Sequence, residues 1–498
     1  MQMLSQSKSF FNASASNFSN LMSTPLKCVV SEEKEMDFPY SETKNIKNCP
    51  PRNLKFTYFA AVSALMYCVV LGLAASFTAP ASVDMQRYGS RFYGITLSQI
   101  TWIASLPTVT SSFGNILSGF LSHKYGRKAV IICLSTPYLI SWLMVVYAPT
   151  LTWIYCGRLL TGFSYGMASV VIPAYCVEIA TVENRGIIAA GFQLAYVIGV
   201  LIMACFGFGL RWSWMAMISA ILLTISTCLM FFMPESPQWL IRNSNEKEAI
   251  RSLKFLRGRN SDFKAEFLNL SKNQQEQSQL GISIASFKDP TLYKPTAIAI
   301  AIFFFQQFSG INAVTSYTVE IFKNSGGSMD PQTSATIFAA VQVAATIFST
   351  VFIDKLGRRV LFISSGSMMT LSLVILGAFK LFQKREYDVS AVEWIPLAGL
   401  LLYITAFSFG FGPCGIVMPP ELVPIHYRSA VLTMSIVSLS IFGFIVTKSF
   451  DILVTYIGYY GLYWTFGFFS FAGTIFGVLY LPETKGKSIE EISKSFLS

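Results

Sequence analysis

Charged side chains are scarce in this sequence. Asp, Glu, Lys and Arg make up 13% of the 498 residues, whereas a soluble globular chain carries roughly 25%. Apolar residues make up 53%, and they cluster in runs that approach the ~20 residues with which a helix crosses a bilayer. A soluble globular protein is therefore excluded, and the composition predicts a polytopic membrane protein.

Motifs that carry enzyme chemistry are also missing. The sequence shows no phosphate-binding loop, no cluster of metal-ligating residues and no nucleophile–base pair. We therefore expect no enzymatic activity, no cofactor and no metal. A signal peptide is missing as well, because residues 1–25 are rich in Ser and Asn and lack an apolar core. This composition predicts disorder through about residue 50.

Twelve apolar runs are long enough to form membrane-spanning helices. Numbered as spans 1 to 12, they are residues 57–80, 94–121, 128–147, 152–176, 187–208, 212–233, 296–322, 333–352, 360–381, 394–420, 430–451 and 460–481. The sequence therefore predicts an all-α membrane fold. A long polar stretch at 234–295 divides the twelve transmembrane helices into two six-helix bundles.

Basic residues are distributed unevenly between the two ends of these spans. With the N-terminus placed inside, most of the 37 Lys and Arg residues fall in the tails and inner loops. The few in outer loops are Arg87, Arg91, Arg211, Lys323, Lys380, Lys384 and Arg385. Short cytoplasmic loops retain Lys and Arg, so this bias places both termini in the cytoplasm. The net charge of +11 is thus a topology signal, and no nucleic-acid partner is expected.

The polar stretch contains its own helical signal. Asn245 is a helix-capping residue with Glu248 three residues on, and Gly258 is a typical stop, which predicts a short amphipathic helix over 245–257. An ordinary linker is the alternative. The expected organisation is a disordered cytoplasmic tail (1–55), an N-terminal bundle (56–233), a cytoplasmic helical linker (234–295), a C-terminal bundle (296–481) and a cytoplasmic C-tail (482–498).

Two short motifs occur once in each half, at corresponding helix ends. Tyr-Gly-Arg-Lys at 125–128 follows span 2, and Leu-Gly-Arg-Arg at 356–359 follows span 8. An acid and an arginine with the same separation follow spans 4 and 10, and these are Glu178 with Arg185 and Glu421 with Arg428. The two bundles are therefore expected to be pseudo-symmetric repeats, an architecture that encloses a midplane site in transporters.

Further motifs stand at fixed places along the chain. They are Gly119-x-x-x-His123-Lys124, Arg158-x-x-x-Gly162, Pro173-x-Tyr175-x-x-Glu178, Pro234-Glu235-Ser236-Pro237, Gln306-Gln307-x-Ser309-Gly310-x-Asn312, Asp354-Lys355-x-Gly357 and Pro482-Glu483-Thr484-Lys485-Gly486. In this combination, the chain resembles the sugar porters of the major facilitator superfamily over about residues 57–495, and is similar to the facilitated trehalose or glucose transporters of insects. The resemblance implies the major facilitator fold, alternating access and a small-molecule sugar as partner.

Arginines and acids at the inner helix ends form one group of candidate functional residues. An unpaired carboxylate beside lipid is costly, so these groups are expected to pair. The resemblance implies that they lock the two halves together on the inside, and static anchoring is the alternative. They are Arg127, Glu178, Arg185, Glu235, Asp354, Arg358, Arg359, Glu421 and Arg428. His123 replaces an acid of the family and Gln238 an arginine, which predicts a looser inner gate.

Amide side chains within apolar spans form the second group. A sugar presents hydroxyls, so its pocket needs groups that both donate and accept hydrogen bonds. Span 7 carries three amides, Gln306, Gln307 and Asn312, and on one helix residues 306, 309, 310 and 313 would share a face with Asn312 close by. To these the resemblance adds Gln193, Tyr317 and Gln342 as substrate contacts. Hydrogen bonding between helices is the alternative use of such side chains.

Span 10 contains glycines and prolines that break a helix. Such breaks survive in lipid only where protein or a cavity covers the freed backbone. We interpret this span as a mobile gate, with a static kink as the alternative, and its residues are Gly410, Gly412, Pro413 and Gly415. Nearby, Ile416 stands where the family usually has Trp, and Leu439 and Ser440 replace an Asn-Trp pair, so the identity of the sugar stays open.

Span 1 contains no Asp, Glu or His. Proton-coupled sugar porters carry a titratable group there, so the resemblance favours passive uniport of a hexose or trehalose. Arg158 in span 4 stays charged and cannot carry protons. A non-transporting sugar sensor and a carrier of another small polar solute are the alternatives. The family also implies a monomer in the plasma membrane.

Overall fold

The computed structural model describes six stretches of the chain. They are residues 54–181, 183–258, 263–278, 290–326, 329–423 and 427–485. Their regular secondary structure is helical, and these stretches contain no strand. The all-α fold predicted from the sequence is therefore confirmed for the part of the chain that the structure describes.

The helices form two long series joined by three short helices. The first series is α1 (Lys55–Ser76), α2 (Thr78–Gln86), α3 (Leu97–Tyr125), α4 (Arg127–Val146), α5 (Leu151–Ile179), α6 (Arg185–Phe206) and α7 (Trp212–Phe231). The joining helices are α8 (Pro237–Arg242), α9 (Glu246–Arg257) and α10 (Phe263–Ser278). The second series is α11 (Pro290–Phe308), α12 (Ile311–Ser316), α13 (Thr318–Lys323), α14 (Pro331–Leu356), α15 (Arg358–Lys384), α16 (Ile395–Phe409), α17 (Phe411–Leu422) and α18 (Arg428–Leu479), with a 3-10 turn at Ser390–Val392.

Ten helical segments of the described residues are long and apolar enough to cross a membrane. The sequence predicts twelve spans, and two features of the helices account for the difference. Helix α3 carries many Ser and Thr residues and is not among the ten, although it has 29 residues. Helix α18 counts once but has 52 residues, about 78 Å at ~1.5 Å per residue, and Gly458 inside it is not helical. The ten segments show a multi-pass membrane protein.

Buried apolar side chains form two large clusters. One draws on α1, α3 to α7 and α9, with two residues of α2, and the other mostly on residues 292–481. Between them lies a small cluster of Val200, Ala204 and Ala339. The two series also touch where α3 packs on α18 and α6 on α14. Each series therefore has its own core, and the contact surface between the two is polar in part, as described below.

Span 7 is not the single helix expected from the sequence. It breaks at Gly310, whose φ is 94°, and again at Tyr317. A Cβ at position 310 would lie 2.3 Å from the ring of Phe466, so glycine is required by both backbone angle and space. As a result, Asn312 lies on a different helical segment from Gln306 and Gln307.

Span 10 also breaks, and it does so at one glycine. Gly410 interrupts the span between α16 and α17, whereas Gly412, Pro413 and Gly415 lie inside α17. A Cβ at Gly410 would lie 2.2 Å from the Leu361 carbonyl oxygen, so the close approach of α15 explains the position. Of the four residues predicted to break the helix, Gly410 is thus the one at which the break occurs.

The amphipathic helix predicted over 245–257 is present as α9. Asn245 accepts a hydrogen bond from the Glu248 N–H, and Gly258 ends the helix. Arg257 is 1% exposed and forms a 2.7 Å ion pair with Glu266. Arg257 also donates to the Thr57 hydroxyl and the Ile179 carbonyl, so α9 is fastened to the ends of α1 and α5.

Candidate functional site

Two amides of span 7 bond to each other across the break at Gly310. Asn312 Nδ2 donates to Gln307 Oε1 over 2.6 Å. Gln307 is 4% exposed, and Asn312 is half-buried. This bond uses the NH₂ group of Asn312 and the carbonyl oxygen of Gln307. The carbonyl oxygen of Asn312 and the NH₂ group of Gln307 can therefore still accept from and donate to a hydroxyl. This pair is the centre of the candidate site.

Gln306 has a different set of contacts from its neighbour. Its side-chain NH₂ donates to the carbonyls of Phe411 and Gly412, at 2.9 and 3.2 Å. A Cβ at Gly415 would lie 2.8 Å from the same nitrogen, so α17 approaches the amide closely. Gln306 therefore bonds to the backbone of α17 just after the break at Gly410, which is a hydrogen bond between helices, the alternative use of such side chains.

Tyr317 is placed inside the second bundle. It is 1% exposed, donates to the Thr447 carbonyl over 3.0 Å and stacks on Phe450 with ring centroids 4.2 Å apart. These contacts hold the second break of span 7 against α18. In this conformation the Tyr317 hydroxyl is engaged with backbone.

Gln193 and Gln342 lie on the two helices that meet between the series, α6 and α14. Gln342 is 4% exposed, and its Oε1 finds no hydrogen-bond donor among the described residues. A buried acceptor without a donor costs about 1–3 kcal/mol. A hydroxyl entering from solution would remove that cost. Gln193 is half-buried and makes no side-chain hydrogen bond within the described part of the chain.

Another amide, absent from the sequence-based candidates, crosses between the two series. Asn115 of α3 is 2% exposed and donates to the Ser440 hydroxyl of α18 over 3.1 Å. Its Oδ1 accepts from Ser169 of α5 over 3.0 Å. An Asn within the apolar span 2 was the available signal. Ser440, one of the positions that departs from the family pattern, thus links the halves.

The inner end of α4 is held by two carboxylates. Arg127 pairs with Glu178 at 2.7 Å, with both side chains about nine-tenths buried. Glu235 accepts from the backbone N–H groups of Arg127, Lys128 and Ala129, the first three residues of α4. A carboxylate is stabilised there by unpaired N–H groups and by the helix dipole. Burial raises the pKa of Glu235, and the backbone hydrogen bonds oppose that rise.

The inner end of α15 repeats this arrangement. Arg358 pairs with Glu421 at 3.2 Å, and Glu483 accepts from the N–H groups of Arg358 and Arg359. Hydroxyls complete both copies, since Ser236 bonds to Glu178 and Thr484 to Glu421. Glu235 is one of the predicted network residues, whereas its counterpart Glu483 was predicted only as part of a motif. The signal was the parallel between Pro-Glu-Ser at 234–236 and Pro-Glu-Thr at 482–484.

Glycine makes both copies possible. Gly126 and Gly357 have φ of 99° and 91°. A Cβ would lie 2.4 Å from Glu235 Oε2 in the first copy and 2.7 Å from Glu483 Oε2 in the second. Each glycine therefore serves the turn and the approach of the carboxylate.

Two further arginines of the predicted network have no ion pair among the described residues. Arg185 is exposed, and Arg428 is half-buried. The side chain of Asp354 lies outside the described residues. Among the side chains that the structure describes, each of these inner ion pairs stays within one series, and none joins the two.

His123 and Gln238 mark where the network departs from the family pattern. The His123 carbonyl accepts from the Trp239 indole over 2.9 Å and from Arg242 over 3.2 Å. Arg242 follows Gln238 by one helical turn. It therefore brings a guanidinium to the end of α3 although position 238 has none.

Polar contacts join the two series at the opposite ends of the helices. Gln332, near the start of α14, donates to the Ala204 carbonyl near the end of α6 over 2.7 Å. Lys448 of α18 donates to Thr101 of α3 over 3.0 Å and lies 4.2 Å from the Trp102 ring centroid. These helices run from here to the inner networks. The two series are therefore in contact at the end remote from Arg127 and Arg358.

Arg158 is buried within the first bundle. It is 2% exposed and donates to the carbonyls of Ile103 and Ala74, at 3.0 and 3.1 Å. No carboxylate pairs with it among the described residues. Backbone carbonyls of α1 and α3, together with the Phe77 ring 5.5 Å away, thus stabilise this cation.

Comparisons with known proteins show the family and the fold of the chain. A family model described as "Sugar (and other) transporter" matches residues 56–496. The facilitated trehalose transporter Tret1 of Apis mellifera ligustica is 34% identical over 463 residues, 92% of each chain. Tret1 of Polypedilum vanderplanki is also 34% identical, over 441 residues covering 88% of this chain and 87% of that one. The solved structure of the proton:xylose symporter XylE, of the major facilitator superfamily, superimposes with a TM-score of 0.72 at 21% identity, covering 89% of this chain and 100% of the other.

Proposed function

Because the chain belongs to the sugar (and other) transporter family of the major facilitator superfamily, we propose that it carries a hexose or trehalose across the membrane by facilitated diffusion. Its relatives in that family are transporters, so it is not an enzyme. The observation that carries the proposal is the buried Gln307–Asn312 pair. Amides that both donate and accept are suited to hydroxyls.

The substrate site is proposed to lie between the two bundles. Gln307 and Asn312 supply it from span 7, and Gln193 and Gln342 from α6 and α14. The unpartnered Oε1 of Gln342 supports this, since a sugar hydroxyl would satisfy it. Gln306 and Tyr317 support the walls through their backbone bonds, and we propose that they reach the sugar only in another conformation.

The proposed topology has twelve spans and cytoplasmic termini. Helix α3 adds one span to the ten apolar segments, and division of α18 at Gly458 adds another. Helices α8 to α10 then lie in the cytoplasm. The two bundles correspond to residues 56–233 and 296–481. A monomer in the plasma membrane is the state that we propose for the working protein.

We propose that, during alternating access, the outer end opens while the inner end closes. In the present conformation the outer ends meet through Gln332 and Lys448. Closure of the inner end would bring Arg185 and Arg428, which have no ion pair among the described residues, towards acids of the opposite bundle. The break at Gly410 is the proposed hinge of the gate in span 10.

Uniport is proposed because the described spans offer no proton acceptor beside Arg158. That cation bonds to two backbone carbonyls instead of a carboxylate. A carrier of another small polar solute is the second candidate. It is favoured by Ile416, Leu439 and Ser440, which stand where the family pattern has Trp, Asn and Trp.

Uptake in cells that lack hexose transport tests the proposal. We expect saturable uptake of labelled glucose or trehalose, unchanged by a protonophore. Uptake that collapses with the protonophore would contradict uniport. Absence of uptake for every mono- and disaccharide of a panel, from a chain present at the cell surface, would contradict sugar transport.

A further inference from the structure

A small cavity lies between the two series at the end remote from Arg127 and Arg358. Its volume is about 110 Å³, the space of about four waters. Pockets for drug-sized ligands have about 300–1,000 Å³, so this cavity suits an ion of a few atoms and excludes a sugar ring. Arg87, which follows α2, lines it from the first series, and Lys323, the last residue of α13, lines it from the second.

Two carboxylates also line the cavity, and both are engaged at helix N-termini. Asp84 Oδ2 accepts from the N–H of Trp212, the first residue of α7, over 2.9 Å. Asp330 is the N-cap of α14, and its Oδ2 accepts from the N–H and the hydroxyl of Thr333, at 2.9 and 3.1 Å. A helix N-terminus stabilises a carboxylate in this position. The two acids therefore serve α7 and α14.

The two cations keep hydrogen-bond donors that no acceptor uses within the described part of the chain. Arg87 Nη1 lies 4.0 Å from Asp84 Oδ1, beyond hydrogen-bond distance, and the Arg87 side chain is 67% exposed. Lys323 is exposed and forms no ion pair among the residues that the structure describes. A guanidinium fork and an ammonium suit the oxygens of a phosphate or a carboxylate. The cavity thus offers donors from both series to an anionic acceptor.

We propose that this cavity binds a small oxyanion, which Arg87 holds from the first series and Lys323 from the second. The anion bridges the two series beside the hydrogen bond from Gln332 to the Ala204 carbonyl. Separation of the outer ends would move the two cations apart, so the anion binds the present conformation and stabilises it. Binding of the anion does not depend on the solute that is carried. Its second consequence, slower transport, rests on the proposed alternating access.

Calorimetric titration of the full chain in detergent with inorganic phosphate tests the site. The wild type should bind phosphate, with sodium chloride at equal ionic strength as the control for screening. Arg87→Gln and Lys323→Gln should each bind phosphate about tenfold more weakly, because a hydrogen bond between charged groups is lost. Lys323→Arg, which keeps the charge, should bind phosphate as the wild type does. The matched control is Arg385→Gln, which removes an exposed cation at the end of α15, outside the cavity.

Uptake into proteoliposomes gives a second readout. Phosphate on both sides should slow the uptake of labelled glucose or trehalose by the wild type and by Arg385→Gln, and slow it less for Lys323→Gln. Equal phosphate binding by the wild type, Arg87→Gln and Lys323→Gln, or no binding by the wild type in the millimolar range, would overturn the site. Equal slowing of the wild type and Lys323→Gln would overturn its effect on transport. A wild type that carries no sugar would contradict the proposed function, and the titration would still decide whether the anion site exists.

Discussion

Asn312 donates a 2.6 Å hydrogen bond to Gln307 across a break in span 7. Each amide thus satisfies part of the hydrogen-bonding capacity of the other, which removes much of the cost of burying them. A sugar hydroxyl that enters exchanges this bond for new ones. Because the net gain of one hydrogen bond is about 0.5–1.5 kcal/mol, such an exchange yields modest affinity that also permits release.

Removal of one partner of the Arg127–Glu178 pair is expected to destabilise the first bundle. Both side chains are largely buried, and breaking a buried pair costs about 3–5 kcal/mol because one charge is left alone. The variants Arg127→Met and Glu178→Gln should each lower the Tm in detergent. The double variant should lose less than the sum of the two.

The control for that cycle is Arg87→Gln. Arg87 lies 4.0 Å from Asp84, and its side chain is 67% exposed, so solvent screens the pair. Its Tm should match that of the wild type. Additive losses in the Arg127–Glu178 cycle would contradict a direct pairing between these two residues.

Substitution of Gly410 is expected to disrupt the gate in span 10. A Cβ there would lie 2.2 Å from the Leu361 carbonyl oxygen, which is backbone and cannot move aside. Gly410→Ala should lower both the Tm and uptake. Gly119→Ala is the matched control, because nothing lies within 4 Å of its Cβ position, and alanine favours a helix by about 1 kcal/mol. Equal Tm values for the two variants would show that α15 and α17 are not in close contact at Gly410.

The hydrogen bond between Asn115 and Ser440 is expected to couple the two bundles. A double-mutant cycle with Asn115→Ala and Ser440→Ala should give a coupling of about 1 kcal/mol in thermal unfolding. Ser438 serves as control, since its hydroxyl bonds to the Met434 carbonyl within its own helix. A coupling energy between Asn115 and Ser440 as small as that between Asn115 and Ser438 would contradict the contact between the two bundles.

Helix positions could be predicted from the sequence because apolar runs end at polar residues. The predicted spans 128–147 and 212–233 correspond to α4 (Arg127–Val146) and α7 (Trp212–Phe231). The break at Gly310 could not be placed, because it depends on Phe466, which is distant in the sequence. The same holds for the position of the break in span 10, which depends on Leu361.

The candidate site was predictable in its residue types and less so in its contacts. Amides in an apolar span indicate a polar site, but composition does not tell which one bonds to backbone, as Gln306 does. Asn115 was missed because its importance arises from a contact between distant helices. Repeated motifs are the strongest sequence signal here, and a closer comparison of the two repeats would have included Glu483.

Uptake by Gln307→Ala and Asn312→Ala in proteoliposomes tests the central claim most directly. Asn243→Ala, which removes an exposed amide bonded to the Trp239 carbonyl, is the control. We predict that saturable uptake of labelled glucose or trehalose is lost in both span-7 variants and retained in the control, at equal amounts of reconstituted protein. Normal uptake by both span-7 variants would contradict the assignment of the sugar to this amide pair.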